Sequence, residues 1–313
     1  MKPQTLRKAL SEYLSMRRAL GYQLLRPGKS LQNFVRFAEA EGADVITTDL
    51  ARRWAQLPGD VEPSTWATRL ALVRRFARHC QMSMPGTEVP PEDLLPHRYR
   101  RKPPHIYDRQ EISRLLAAAR QLSSKVGLRP LTYETLLGLL ACSGLRISEV
   151  LNLDDSDVNL DDGILTIRAS KFGKSRYVPI HPSARQAVSR YRAQRDRRLP
   201  RAGSPALLVT DKGTRLSYSG VRWVFYSLLR AARLEPPDGK RRPRLIDMRR
   251  TFAVRTLLRW YRRGADVEAC LPRLSTYLGH THVTDTYWYL SAVPELLGCA
   301  LRRLEILQGR CRS

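Results

Sequence analysis

Cysteine is scarce in this chain, with five in 313 residues: Cys80, Cys142, Cys270, Cys299 and Cys311. Their number is odd, they are widely scattered, and no two form a Cys-x-x-Cys pair. This pattern excludes a disulfide framework and a cysteine zinc site, and it indicates reduced thiols. The sequence also lacks an apolar signal core and any apolar run near the ~18 residues that span a bilayer. We therefore expect a soluble, cytoplasmic protein without a membrane partner.

Acidic residues are also few, because 29 Asp and Glu face 55 Lys and Arg, and the net charge is +26. Residues 1–103 carry 18 basic and 10 acidic side chains, a net +8, and the remainder carries +18. The excess is therefore spread over both parts of the chain and is not a basic tail. Such a field attracts polyanions, and double-stranded DNA is the first candidate partner, with no small-molecule substrate expected.

The first 84 residues predict a small domain of four helices. Apolar residues recur at helical spacing in four segments, which are 5–20, 30–41, 47–54 and 64–80. The fourth helix also carries arginines away from its apolar side. Among them, Arg69, Arg74 and Arg75 are candidates for contacts with DNA phosphates, and a solvated helix face is the alternative.

Residues 85–104 predict a linker. This segment holds six of the chain's 20 prolines, a density that excludes a continuous helix or a central strand. It is also basic, so Arg100 and Arg101 are candidate contacts with the DNA backbone. We therefore expect domains at 1–84 and 105–313, joined by a basic, proline-rich connection.

The second domain is predicted to be mostly helical with a small antiparallel sheet. Strand-like runs at 163–169 and 176–180 surround Lys171-Phe172-Gly173-Lys174, which indicates a hairpin. Predicted helices lie near 108–122, 130–142, 183–198, 217–233, 247–262 and 266–278, followed by a short helix with tyrosines and a last one after Pro294. Further candidate DNA contacts, each with a solvated position as the alternative, are Lys174, Arg176, Lys240, Arg241 and Arg242.

Four features of this second domain resemble, in order and spacing, the motifs of the tyrosine recombinases, or phage integrase family. They are residues 143–150, Lys171, residues 247–253 and residues 278–289. The last segment is similar to the transposon-borne branch, whose members are encoded in groups of adjacent recombinase genes. The resemblance covers about residues 105–300, and the first domain matches the family's core-binding domain in position and size.

The resemblance implies site-specific recombination, in which the Tyr289 oxygen attacks a DNA phosphodiester and forms a 3′-phosphotyrosyl link. Arg146 and Arg249 would clamp the phosphate, because a guanidinium donates two parallel hydrogen bonds and stays charged. Lys171 would protonate the leaving 5′-oxygen, and His280 would bind a phosphate oxygen or orient the tyrosine. The covalent link retains the energy of the broken bond, so religation needs no metal or other cofactor.

Two further assignments concern the neighbours of these residues. Glu149 is expected to support the site by accepting hydrogen bonds from the backbone or from Arg146. Tyr287 and Tyr289 point about 200° apart on a helix, so only one of them can face the arginines. The family's interval of nine residues after the histidine selects Tyr289, and Tyr287 and Trp288 are then predicted to pack.

One position departs from the family's pattern. Ile246 stands three residues before Arg249, where the family usually has histidine or lysine, and Arg250 replaces a common second histidine. Loss of one preorganised donor typically costs on the order of 10²–10³ in rate. Two hypotheses follow: a slow but active recombinase, or a catalytically impaired DNA-binding subunit beside sister recombinases. In both, the resemblance implies a homo- or hetero-oligomer that is tetrameric in synapsis.

Overall fold

The computed structural model describes residues 5–96, 103–168, 173–200, 203–236, 241–292 and 294–310, without the side chains of 291–292 and 303–310. The chain divides into two compact units, Met1–Arg101 and Lys102–Ser313. Within the described ranges, no helix is long and apolar enough to cross a membrane. Four predicted site residues lie outside these ranges, namely Lys171, Arg100, Arg101 and Lys240.

The first unit is built from four helices around one apolar core. Trp54, Phe34 and Phe76 are fully buried at its centre, and Trp54 Nε1 donates to Asn33 Oδ1 at 3.0 Å. Thr47 caps the third helix by accepting from the backbone N–H of Leu50, as its position before the apolar repeat predicts. The helices are α1 (Leu6–Ala19), α2 (Leu25–Ala40), α3 (Thr48–Gln56) and α4 (Pro63–Cys80).

Two parts of the first unit differ from the sequence interpretation. Helix α2 begins at Leu25 and not near residue 30, because Pro27 lies in its first turn, where a missing N–H costs no hydrogen bond. Residues 85–96 pack on the first unit, and Leu95 is buried in its core. This half of the proline-rich segment therefore belongs structurally to the helical unit.

The second unit is helical with one three-stranded antiparallel sheet, which confirms the predicted fold class. Strands β1 (Val158–Asn159), β2 (Ile164–Ile167) and β3 (Arg176–Pro179) lie in the order β1-β2-β3. In the β2–β3 hairpin Ile167 pairs with Arg176. The helices are α5 (Arg109–Arg120), α6 (Arg129–Ser143), α7 (Ile147–Asn152), α8 (Pro182–Arg198), α9 (Tyr218–Ala231), α10 (Leu245–Arg262), α11 (Val267–Leu278), α12 (Thr284–Ala292) and α13 (Pro294–Arg310), with a 3-10 turn at Asp155–Asp157.

Helix α10 joins the two apolar clusters of this unit. Leu245 and Met248 belong to the larger cluster around the sheet, α6 and α9, whereas Val254 and Leu257 belong to a smaller cluster with α11, α12 and α13. Arg249 is therefore buried between the two clusters, 3% exposed. Helix α7 and strand β1 were not predicted, because six and two residues are too short to show a periodic pattern.

Candidate active site

Helices α6 and α11 end close together, and each is followed by a glycine. Carbonyl oxygens at these two ends accept hydrogen bonds from two arginines. Gly144 follows α6 and Gly279 follows α11, both in the left-handed conformation. Arg249 donates to the carbonyl oxygens of Gly144 at 2.9 Å and Leu278 at 2.5 Å, and Arg146 donates to that of Gly279 at 2.8 Å. Carbonyls at a helix C-terminus lack helical partners and carry partial negative charge. This chemistry brings the two guanidinium groups together.

Neither glycine position has room for a side chain. A Cβ atom at Gly144 would lie 2.5 Å from Cδ1 of Phe252, and one at Gly279 would lie 2.8 Å from Nη1 of Arg176. Any side chain at either position would displace its neighbour and adopt a strained backbone. The close approach of α6 to α10 therefore depends on Gly144, and the approach of Arg176 to the end of α11 depends on Gly279.

Glu149 is a buried carboxylate between two arginines. It accepts from the backbone N–H and from Nη1 of Arg146, at 2.9 and 2.7 Å, and from both terminal nitrogens of Arg176 at 3.0 Å. Burial raises the pKa of Glu149, but the hydrogen bonds from Arg176 and Arg146 outweigh it and lower the pKa. The carboxylate therefore stays ionised and balances part of the positive charge.

Arg176 corrects one sequence interpretation. It was expected as a phosphate contact or a solvated hairpin residue, yet only 11% of its side chain is exposed. Its Nε donates to the carbonyl oxygen of Tyr277 at 2.8 Å, while its terminal nitrogens bind Glu149. Arg176 therefore ties the start of β3 to α7 and to the end of α11.

The two clamp arginines differ in access. Burial lowers the pKa of Arg249 to about 10, with a further contribution from the charge of Arg146, so Arg249 remains charged near neutral pH. The Arg146 side chain is 20% exposed, so part of it is reachable from solvent. Together the pair offers planar donors to an anion from one buried and one accessible position.

His280 lies beyond the α11 glycine and is held by a buried threonine. Its Nδ1 is 2.7 Å from Oγ1 of Thr286, a residue with no exposed surface. Burial lowers the pKa of His280 to about 4, and the charges of Arg249 and Arg146 add to this effect. The imidazole is therefore neutral near pH 7, with Nε2 left to face another partner. The motif spacing contains no signal for Thr286, since its role depends on the fold of the turn.

The two candidate tyrosines occupy different environments. Tyr289 is 5% exposed and its ring lies 6.2 Å from that of His280, whereas Tyr287 is 43% exposed. Burial raises the pKa of Tyr289, while the charges of Arg249 and Arg250 oppose the rise. The phenol is thus protonated at neutral pH and lies beside the clamp arginines.

Arg250 was noted from the sequence only as a substitution, and Trp288 only as a packing residue. The structure brings them together, with the Arg250 guanidinium 5.2 Å from the centre of the Trp288 ring. Arg250 Nη1 also donates to Oδ1 of Asp247 at 3.0 Å. Ile246, one turn earlier, is half-buried.

The predicted DNA contacts fall into two groups. Arg74 is buried and donates to the carbonyl oxygens of Pro90 and Pro91, and Arg69 stacks 3.8 Å from the centre of the Trp54 ring while donating to its carbonyl oxygen. These bonds hold the first unit together, so a phosphate contact by Arg74 was a wrong prediction and Arg69 is mainly engaged in packing. The exposed candidates are Arg75, Lys174, Arg241 and Arg242.

Two arginines, a neutral histidine and a buried tyrosine therefore lie together at this site. Residues 106–295 match the model of the phage integrase family, and the chain belongs to this family. The resemblance drawn from the motifs is thereby confirmed.

Relatives match along most of the chain. The chain is 46% identical over 305 residues to the putative integrase/recombinase y4rB of Sinorhizobium fredii, covering 96% of this chain and 97% of that protein. It is 31% identical over 277 residues to the tyrosine recombinase XerD of Caulobacter vibrioides, covering 88% and 82%. The fold is similar to that of the Tn1549 transposon integrase in complex with transposon right end DNA, with a TM-score of 0.68, 16% identity, and coverage of 97% and 100%.

Proposed function

We propose that this chain is a site-specific tyrosine recombinase that cleaves and rejoins double-stranded DNA through a covalent bond to Tyr289. The observation that carries the proposal is the position of the Tyr289 phenol, buried beside Arg249 and stacked on His280. Its relatives, named as integrases and tyrosine recombinases, support the same reaction.

The geometry supports a definite division of work. The scissile phosphate binds Arg146 and Arg249, whose charges offset the negative charge on its non-bridging oxygens. Neutral His280 donates through Nε2 when Thr286 donates to Nδ1. The tyrosine oxygen bonds to phosphorus as its proton passes to a non-bridging oxygen of the phosphate, and the P–O5′ bond breaks. The leaving oxygen takes a proton, which we assign to Lys171 from the resemblance.

The reverse reaction rejoins DNA by the same steps. The 5′-hydroxyl attacks the phosphotyrosyl bond, and Tyr289 recovers its proton. One phosphodiester is exchanged for another of similar energy, so the protein needs no nucleotide or metal for this sequence. The burial of Tyr289 protects the intermediate from water while the strands exchange.

We also propose the partners. DNA binds through basic residues of both units, which are the exposed Arg75 of the first unit and Lys174, Arg241 and Arg242 of the second. Oligomers form on two DNA sites, and Leu297 and Leu301 of α13, 51% and 58% exposed, provide an apolar face for a neighbouring copy or a sister recombinase. The cytoplasm, where the DNA of a bacterial cell lies, is the proposed location.

A covalent adduct tests the proposal. Labelled, nicked duplexes that tile the DNA flanking the protein's own gene are incubated with the protein and run on a denaturing gel. Wild type and the matched control Tyr287→Phe are expected to form a protein–DNA adduct, and Tyr289→Phe none. An undiminished adduct from Tyr289→Phe, or no adduct from wild type on any duplex that it binds, contradicts the proposal.

The second hypothesis, a DNA-binding subunit with impaired catalysis, is not favoured. Arg146, Arg249, His280 and Tyr289 are packed into one site, with their positions set by buried hydrogen bonds and ring contacts. A purely architectural subunit has no use for this arrangement.

A further inference from the structure

A third guanidinium lies beside the nucleophile, and neither the motifs nor the proposed reaction gives it a role. Arg250 follows Ile246 by four residues on α10, so the two side chains share one face of the helix. Side chains on a helix lean toward its N-terminus, which places the Arg250 guanidinium over the turn of Ile246. The hydrogen bond from Arg250 Nη1 to Asp247 agrees with this direction.

The charge of Arg250 is only partly balanced by its neighbours, and several of its N–H donors have no hydrogen-bond acceptor among the described residues. Asp247 also accepts from the backbone N–H of Arg244 at 3.0 Å and from its Nη2 at 3.2 Å, so two guanidinium groups share one carboxylate. Among the described residues, Nη1 makes the only hydrogen bond of the Arg250 guanidinium. A guanidinium has five N–H donors, so those on Nε and Nη2 remain for a ligand.

The position of Arg250 directs those donors toward the reaction. Its side chain is 21% exposed, which makes it reachable from solvent, and its guanidinium carbon lies 5.2 Å from the centre of the Trp288 ring. Trp288 is the chain neighbour of Tyr289, and the two rings are 5.5 Å apart. The positive charge of Arg250 also acts on Tyr289 itself. A phosphate attacked by Tyr289 would therefore lie close to this guanidinium.

We propose that Arg250 is a further catalytic residue, which donates a hydrogen bond to the phosphate that Tyr289 attacks. Arg250 supplies a donor on the side of the site where Ile246 has none, and its contacts with Asp247 and Trp288 position it there. This inference rests on the proposed function, since it needs Tyr289 as the nucleophile.

The test is a double-mutant cycle between positions 246 and 250. The variants are Arg250→Met, Ile246→His and their combination, and the first-order rate of adduct formation is measured at saturating protein on the nicked duplex that wild type cleaves. Arg250→Met is expected to slow the reaction by about 10²–10³ with little change in duplex affinity. Ile246→His should increase the rate of the Arg250→Met protein by at least about tenfold. It should increase the wild-type rate far less, because the two donors bind the same phosphate.

Controls separate catalysis from packing. Arg250→Lys keeps the charge and should lose less rate than Arg250→Met, and Trp288→Leu, which leaves the guanidinium, should lose less than either. Thermal unfolding of each variant shows whether it is folded. An Arg250→Met protein that cleaves at the wild-type rate, or whose loss is the same with and without Ile246→His, overturns the inference but leaves the proposed function intact. If wild type itself forms no adduct, the proposed function has failed.

Discussion

The two sides of the active site are held in different ways. The clamp arginines, Arg146 and Arg249, are held by the carbonyls at the ends of α6 and α11. The buried carboxylate of Glu149 binds Arg146 and also Arg176. The nucleophile segment, residues 280–289, is held by the contact between His280 and Thr286 and by ring packing. The clamp is therefore preorganised for an anion by charged hydrogen bonds, whereas Tyr289 lies on the nine-residue α12 and is held by apolar packing against α10, α11 and α13.

This difference suits phosphoryl transfer. Charge stabilisation depends on donors that need not reorganise during the reaction, and the clamp arginines meet that requirement. In the proposed reaction Tyr289 approaches phosphorus, bonds to it and later leaves, so a support separate from the clamp is an advantage. Changes in the clamp should therefore damage stability most, and changes in the nucleophile segment should damage chemistry first.

The largest loss of stability is expected for Glu149→Ala. Removing the buried, shared carboxylate leaves Arg146 and Arg176 close together without their counter-charge, and breaking a buried ion pair typically costs about 3–5 kcal/mol of unfolding free energy. Thermal and urea unfolding measure the change. Glu134→Ala is the matched control, because its pair with Arg120 lies at the surface and should contribute less than about 1 kcal/mol. Equal losses from the two variants would contradict the view of the clamp as a buried unit.

A smaller loss is expected for Gly144→Ala, which tests the glycine at the end of α6. Gly144 and Gly264 have similar backbone angles, φ 62° and 69°, but nothing lies within 4 Å of a Cβ at Gly264. Gly264→Ala should therefore cost only the left-handed conformation, about 1–2 kcal/mol. Gly144→Ala should cost about 1–3 kcal/mol more, since its methyl group overlaps Phe252. If both variants unfold at the same urea concentration, the clamp does not depend on this close approach.

Much of the architecture could be predicted from the sequence, because it depends on local patterns. Apolar spacing predicted the long helices, and the hairpin was visible as two β-branched runs around a glycine. The order of the motifs predicted that Arg146, Arg249, His280 and Tyr289 meet, and the structure brings these four side chains to one site.

The remainder depends on tertiary contacts that no local pattern contains. Arg176 reads as an exposed strand residue, and only the packing of β3 against α11 turns it toward Glu149. Arg74 lies on a basic helix face, yet the return of residues 85–96 buries it. Thr286 is one threonine among several near the motif, and its bond to His280 follows from the turn after Gly279.

The last expected effect concerns acid stability and the burial of His280. The pKa of His280 is lowered to about 4 in the folded protein, from an ordinary value of 6.5. Between these values the unfolded chain binds a proton that the folded protein does not, so the free energy of unfolding falls as the pH drops from about 6.5 to about 4. Above pH 6.5 His280 is neutral in both the folded and the unfolded state, so its titration no longer changes the free energy of unfolding. Thermal unfolding at several pH values should show a shallower fall for His280→Gln than for wild type.

NMR titration of the His280 ring sharpens the comparison between the two sides of the site. A His280 midpoint well below the ordinary value of 6.5 would show that the nucleophile segment is already closed over the clamp arginines before DNA binds. A midpoint near 6.5 would instead mean that the segment is open to water in the free protein. In that case the clamp alone is preorganised, and Tyr289 reaches its place beside Arg249 only when the phosphate arrives.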